Sequence, residues 1–229
     1  MTIRAKLVTA IVVAVAGLAL TAGVGIWGMN SLGDKFDDVR EAGEAQALAL
    51  ELKYDITDFN GWQTAYGYDN GASRPIFLRS VARFREDLAT AKDELTTPAE
   101  QKLLGDIEQA FNAFMALDVV AYRALQNGNA DQVKRLFLGP EIRNFQQAAD
   151  GAEKLATLEA ARAAETEKAF EDAQSDALRL LILASIIAAV LVALLLITAW
   201  DLARAAERTL ASSPPPDEPA LERRSRETS

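Results

Sequence analysis

The chain of 229 residues contains no cysteine and no histidine. Without cysteine there is no disulfide, no thiol nucleophile and no thiolate metal site. Without histidine there is no His-based triad and no His-ligated zinc. Neither absence names a compartment, because a chain with enough core folds without disulfides. A basic excess is missing too: the net charge is −9, whereas a nucleic-acid surface needs a basic face. No glycine-rich phosphate loop and no metal-ligand spacing occurs. The reading therefore calls for no nucleic acid, no cofactor, no metal and no catalytic residue. Aromatic residues make up only 7% of the chain, so any cluster of them stands out.

What is present is unevenly distributed. Mean hydropathy is close to zero, but this average hides two apolar runs around a charged middle. Residues 7–27, LVTAIVVAVAGLALTAGVGIW, carry no charge over 21 positions. As a helix this run is about 30 Å long, the thickness of a bilayer core. A cleaved signal peptide is the rival reading, with LTAG as its small-residue site. Signal peptides have apolar regions of about 7–15 residues, so length favours an uncleaved anchor. Residues 180–200, LLILASIIAAVLVALLLITAW, form a second uncharged run of 21, too uniform for the amphipathic helix of a soluble protein.

The flanks orient the spans. Arg4 and Lys6 precede the first run, and Arg204 and Arg208 follow the second. Asp34, Asp37, Asp38, Glu171, Asp172 and Asp176 lie on the opposite sides. Basic flanks stay inside. The expectation is a two-span protein of the cell membrane with both termini cytoplasmic. Residues 1–6 are the inner N-terminus, 7–27 and 178–200 the spans, 28–177 the outer domain and 201–229 a cytoplasmic tail. Residues 212–229 are rich in Pro, Ser and charge, have little to bury and read as disordered. Small residues recur along the spans at Ala10, Ala14, Gly17, Thr21, Gly25 and Gly28, and at Ser185, Ala189 and Ala193. Such stripes let membrane helices approach closely; the alternative is that Ala and Gly are simply abundant in these runs.

The middle segment reads as all-α. From Leu32 the apolar positions run Phe36, Val39, then Leu48, Leu52, Ile56, Phe59, Gln63 and Tyr66, in steps of three and four that mark one helical face. The turn DNGAS follows at 69–73. A second stripe runs Phe77, Val81, Phe84, Leu88, Ala91, Leu95. Then Thr97, Pro98 and Glu100 form a capping box with proline at the first helical position. The third stripe, Leu104, Ile107, Phe111, Phe114, Tyr122, Leu125, ends at Asn127-Gly128. A short helix, ADQVKRLFL, is expected to stop at Gly139-Pro140. A last helix then runs unbroken into the second span. Four amphipathic helices joined by short loops predict an antiparallel four-helix bundle.

The densest polar-aromatic stretch is DFNGWQTAY, residues 58–66. Its aromatic faces and amides suit helix packing, a ligand cleft for an amino acid or small organic ion, or a protein-contact patch. In the packing reading Trp62 and Tyr66 fill the core. In the cleft reading Asp58, Trp62, Gln63 and Tyr66 bind a small organic ion, with Arg79 or Arg83 supplying a cation for an anionic ligand. The adjacent acidic pairs Asp37-Asp38, Glu86-Asp87 and Asp93-Glu94 read as solvated surface, because neighbouring helical residues do not face one another. A hydrolase would need two acids converging across helices.

This layout resembles the four-helix-bundle sensor module of methyl-accepting chemotaxis receptors and related bacterial sensors. The resemblance covers roughly residues 1–205. It rests on the topology, on LKYDITDFNGWQTAYGYD at 52–69 and on ALQNGNADQVKRLFLGPEIRNFQQ at 124–147. It implies a homodimer that senses a small solute or a partner binding protein and passes a piston or tilt motion through the second span. Such receptors continue into a HAMP coiled coil, whereas here DLARAAERTLASSPPP follows the second run without that pattern. The expectation is a non-enzymatic sensory module without an output domain of its own. The alternatives are a regulatory subunit that pairs with full-length receptors, and a structural surface protein.

Overall fold

The computed structural model describes the backbone of residues 3–211. The disorder expected for 212–229 lies outside the described residues, as do the side chains of Arg4, Lys6 and Ala10. The described residues are helical apart from short turns, without a strand. The order is α1 (Ile3–Tyr68), α2 (Arg74–Glu94), α3 (Pro98–Gln126), α4 (Ala130–Leu136), a π-helical turn (Phe137–Glu141) and α5 (Ile142–Ala211). α1 and α5 each contain a stretch long and apolar enough to cross a membrane. α5 continues past Trp200 to Ala211, so the start of the segment read as tail is helical.

The helix ends follow local chemistry. α1 stops where Asn70 and Gly71 enter the left-handed region, at φ 59° and 94°, a conformation that costs glycine little. There the Gly71 N–H donates to the Tyr66 carbonyl at 2.8 Å. α3 begins on the predicted capping box: the Glu100 N–H donates to the Thr97 hydroxyl, and the Thr97 N–H donates to the Glu100 carboxylate. It ends at Gly128, again left-handed at φ 70°.

The break expected at Gly139-Pro140 is absent. The backbone widens into a π turn and continues as α5. Proline tolerates this register because the wider turn relieves the lost hydrogen bond and the clash of its ring with the preceding turn.

The chain divides into two compact units. One comprises the apolar stretches, up to Ser31 and from Gln174. Within it a Cβ at Gly17 would meet Leu191 and Ala188 at 3.7 and 3.9 Å, and one at Gly28 would meet Ala177 at 3.5 Å. Of the small stripe, Gly17 and Gly28 thus face the chain's own α5, whereas a Cβ at Gly25 would meet nothing within 4 Å. In that second run Ala188 and Leu191 make the contact and Ala184 is buried, whereas the expected Ser185, Ala189 and Ala193 are exposed. Ser185 and Ala189 lie one residue on from Ala184 and Ala188, a rotation of about 100° on a helix.

The other unit is Leu32–Ala173. Here α1, α2, α3 and α5 surround one core. Its centre is aromatic: Phe59 packs against Phe84, Phe111 and Phe114 with centroids 5.2–5.6 Å apart. Towards the α2–α3 turn, alanines from α1 (Ala42, Ala45, Ala49) and α5 (Ala148, Ala152, Ala156) replace the rings. Small side chains there let the helices close up. At Gly151 an added Cβ would lie 2.8 Å from Ile107.

Candidate functional site: a buried acid–arginine network beside a cleft

One charged residue interrupts the apolar stripe of α3. Asp118 follows Phe114 by one turn and is fully buried. A buried carboxylate requires donors. Tyr66 donates its hydroxyl to Oδ1. Gln63 Nε2 donates to the same oxygen at 3.3 Å. Arg74, from the first turn of α2, donates through Nη1 at 2.9 Å, while its Nη2 lies 2.7 Å from Oδ2. The guanidinium is itself held between rings, 4.1 Å from the centroid of Tyr122 and 4.8 Å from that of Tyr66. Three helices thus converge on one ion pair. Burial, reinforced by the Asp118 charge, pushes the Tyr66 phenol well above its ordinary pKa.

Glu141 enters the same region from the π turn. It is buried, and neither of its carboxyl oxygens has a hydrogen-bond partner. Burial first, then the charge of Asp118, raises its pKa to about 8, against the opposing influence of the Gln63 amide and Arg74. At neutral pH Glu141 is therefore mostly protonated, and the network carries one carboxylate against one guanidinium.

Gln63 also lines a cleft of about 540 Å³. The cleft is formed by Asn60 and Thr64 of α1, Lys134 of α4, Phe137 of the π turn and Ile142 of α5. Its shape depends on Gly67, where a Cβ would come within 2.5 Å of the Phe137 ring. That ring stands edge-on to Tyr66 at 5.9 Å. The lining combines amides, a hydroxyl, one cation and apolar walls, a composition suited to a small polar solute with an apolar body.

The six residues singled out from the sequence divide between sites. Gln63 alone lines the cleft. Tyr66 is fully buried behind it and holds Asp118. Asp58 turns towards α2, where Ser80 and Arg83 donate to one of its oxygens, and the Trp62 indole Nε1–H donates to the other at 3.1 Å. Trp62 is half-buried against the core, so it serves packing there. Arg79 is exposed. The cation expected from Arg79 or Arg83 is supplied at the cleft by Lys134.

Asp118, Arg74 and Glu141 were missed by the sequence reading. For Asp118 a signal existed, a charge at a stripe position. Arg74 and Glu141 lie in a turn-flanked first turn and a Gly-Pro bend, where periodicity says nothing.

Asp87, expected at the solvated surface, instead has its Oδ2 buried without a hydrogen-bond partner, opposite Asp55. No family model, curated protein or solved structure matches this chain.

Proposed function

We propose that this chain is a membrane-anchored, chemoreceptor-like sensory module. In this reading the apolar stretches of α1 and α5 are transmembrane spans. Residues 28–177 form an antiparallel four-helix bundle outside the cell and bind a small solute. The observation that carries the reading is Gln63. Its amide lines the cleft and also donates to the buried Asp118–Arg74 network, so whatever occupies the cleft acts on a network joining α1, α2 and α3. Lys134 favours carboxylate-bearing solutes, namely amino acids and small organic acids. The test is thermal unfolding of the full chain in nanodiscs against a panel of both. A solute at 100 times its Kd adds about 2.7 kcal/mol. Gln63→Ala and Lys134→Ala abolish that gain while the unliganded protein stays folded. A panel without any stabilising solute counts against the cleft.

A second observation favours self-association. Gly43, Ala47, Leu50, Tyr54, Thr57, Gly61, Thr64 and Tyr68 follow one another in alternating steps of four and three along α1, and all are exposed. Tyr54 and Tyr68 are 63% and 90% exposed. An uncharged stripe with a repeat of 3.5 residues is the pattern of a helix that supercoils with a partner. We infer a homodimer through this face. Pairing with a longer receptor through the same stripe is the alternative, and co-purification of such a partner would select it.

A further inference from the structure

The acids of Leu32–Ala173 are not evenly partnered. Two clusters repeat one arrangement, a carboxyl pair held beside a single guanidinium. In the first, Arg83 of α2 donates Nε to Asp55 Oδ1 at 2.6 Å and Nη2 to Asp58 Oδ2 at 2.9 Å, both on α1. Asp87 of α2 completes it. Asp55 Oδ2 and Asp87 Oδ2 are both buried without a hydrogen-bond donor. Arg83 also lies over the ring of Tyr54, and Ser80 donates to Asp58. In the second, Arg162 of α5 reaches Glu100 of α3 at 3.3 Å and Glu41 of α1 at 3.1 Å. Glu159 of α5 lies beside Glu100, fully buried, with the Arg162 nitrogen 3.9 Å away and neither carboxyl oxygen hydrogen-bonded.

Two carboxylates cannot satisfy one another, since both only accept. One proton between them changes this: the protonated carboxyl donates to its neighbour, and one excess charge disappears. We propose that this unit binds protons at two carboxyl pairs, Asp55–Asp87 stapling α1 to α2 and Glu100–Glu159 stapling α3 to α5, and that loss of these protons loosens both helix pairs.

Titration supports the geometry. Burial, then the neighbouring Asp87 carboxyl, raises Asp55 to about 6 against the pull of Arg83. Burial, then the neighbouring Glu100 carboxyl, raises Glu159 to about 7 against Arg162. For acids raised in the folded state the unfolded chain gives up its protons first. Stability from these pairs is therefore complete below the ordinary carboxylate range and is lost as pH rises through 6 and 7. The chain has no histidine, so a response near neutrality falls to buried acids such as these pairs. The proposal is independent of solute binding in the cleft.

The experiment follows the thermal midpoint of the full chain in nanodiscs from below pH 6 to above pH 8, for the wild type, Asp87→Asn, Glu159→Gln and the double variant. An amide keeps the shape and donates permanently. The wild-type midpoint should fall as pH rises, each variant should remove part of the fall, and the double variant should melt above the wild type at the alkaline end. A wild-type midpoint level with pH, or variants parallel to the wild type, overturns the proposal. Should a variant not fold, the infrared carbonyl band of protonated carboxyl groups decides on the wild type alone. It should be present just below pH 6 and fade in steps as pH rises through 6 and 7. A single step, at the pKa of about 8 belonging to Glu141, overturns the proposal.

Discussion

Asp118 shows how one side chain organises its surroundings. Its carboxylate is tolerable in the core only because Arg74, Tyr66 and Gln63 all donate to it. The donors are unequal, which orders the cost of removing each. Asp118→Ala leaves the half-sandwiched Arg74 guanidinium without its partner and should cost about 3–5 kcal/mol, the usual penalty for breaking a buried pair from one side. Tyr66→Phe removes a single donor while Arg74 remains, and should cost about 1–3 kcal/mol. Denaturant unfolding of both variants checks the order. Equal effects would mean that the ion pair adds nothing beyond the phenol. Trp62→Ala should cost less than the roughly 3–5 kcal/mol typical of a fully buried ring, because the indole is only half-buried.

At the scale of elements, the π turn is the part that matters for the cleft. It brings Phe137 over Gly67 and turns Glu141 inward. Gly67→Ala drives a methyl into the Phe137 ring and should cost about 1–3 kcal/mol, as overpacking does. Phe137→Leu in the same chain should recover part of the loss, and a double-mutant cycle reads the coupling. Two purely additive losses would place the strain elsewhere. The start of α3 is a simpler case. Its capping box is complete, so Thr97→Ala should cost about 1 kcal/mol, measured by chemical denaturation. Thr97→Ser should be nearly silent.

For the whole molecule, the two proposed spans set the topology. A cysteine at Ser73, in the turn after α1, should react with an impermeant thiol reagent on intact cells, and one at Glu207 should not. The opposite pattern would remove the sensory reading altogether. The proposed dimer makes a separate demand. Cysteines at Leu50, Tyr54 or Gly61 should crosslink between chains, whereas Gly17, which contacts the second apolar run of its own chain, should not. Crosslinks that favour Gly17 over the exposed stripe would reverse the assignment of faces.

Much of the architecture was legible in the sequence alone. Helix positions, both apolar runs, the capping box at Thr97 and the turns at Asn70-Gly71 and Asn127-Gly128 depend on chemistry within a few residues, so periodicity and turn composition find them. The buried face of α1 was legible for the same reason over its outer half: Leu52, Ile56, Phe59, Gln63 and Tyr66 all point inward, whereas Phe36 of the same stripe is 59% exposed and packs edge-on to Phe170. What lay beyond reach depends on neighbours distant in the chain. Asp118 meets Tyr66 across 52 positions, and Arg162 meets Glu41 across 121. No local pattern encodes which acid will face which arginine. The division of residues 58–66 between packing on α2 and the network on α3 was equally hidden. One step along a helix turns a side chain by about 100°, so Trp62 and Gln63, adjacent in sequence, meet different partners. Only the packing of the helices decides which of the two reaches the cleft.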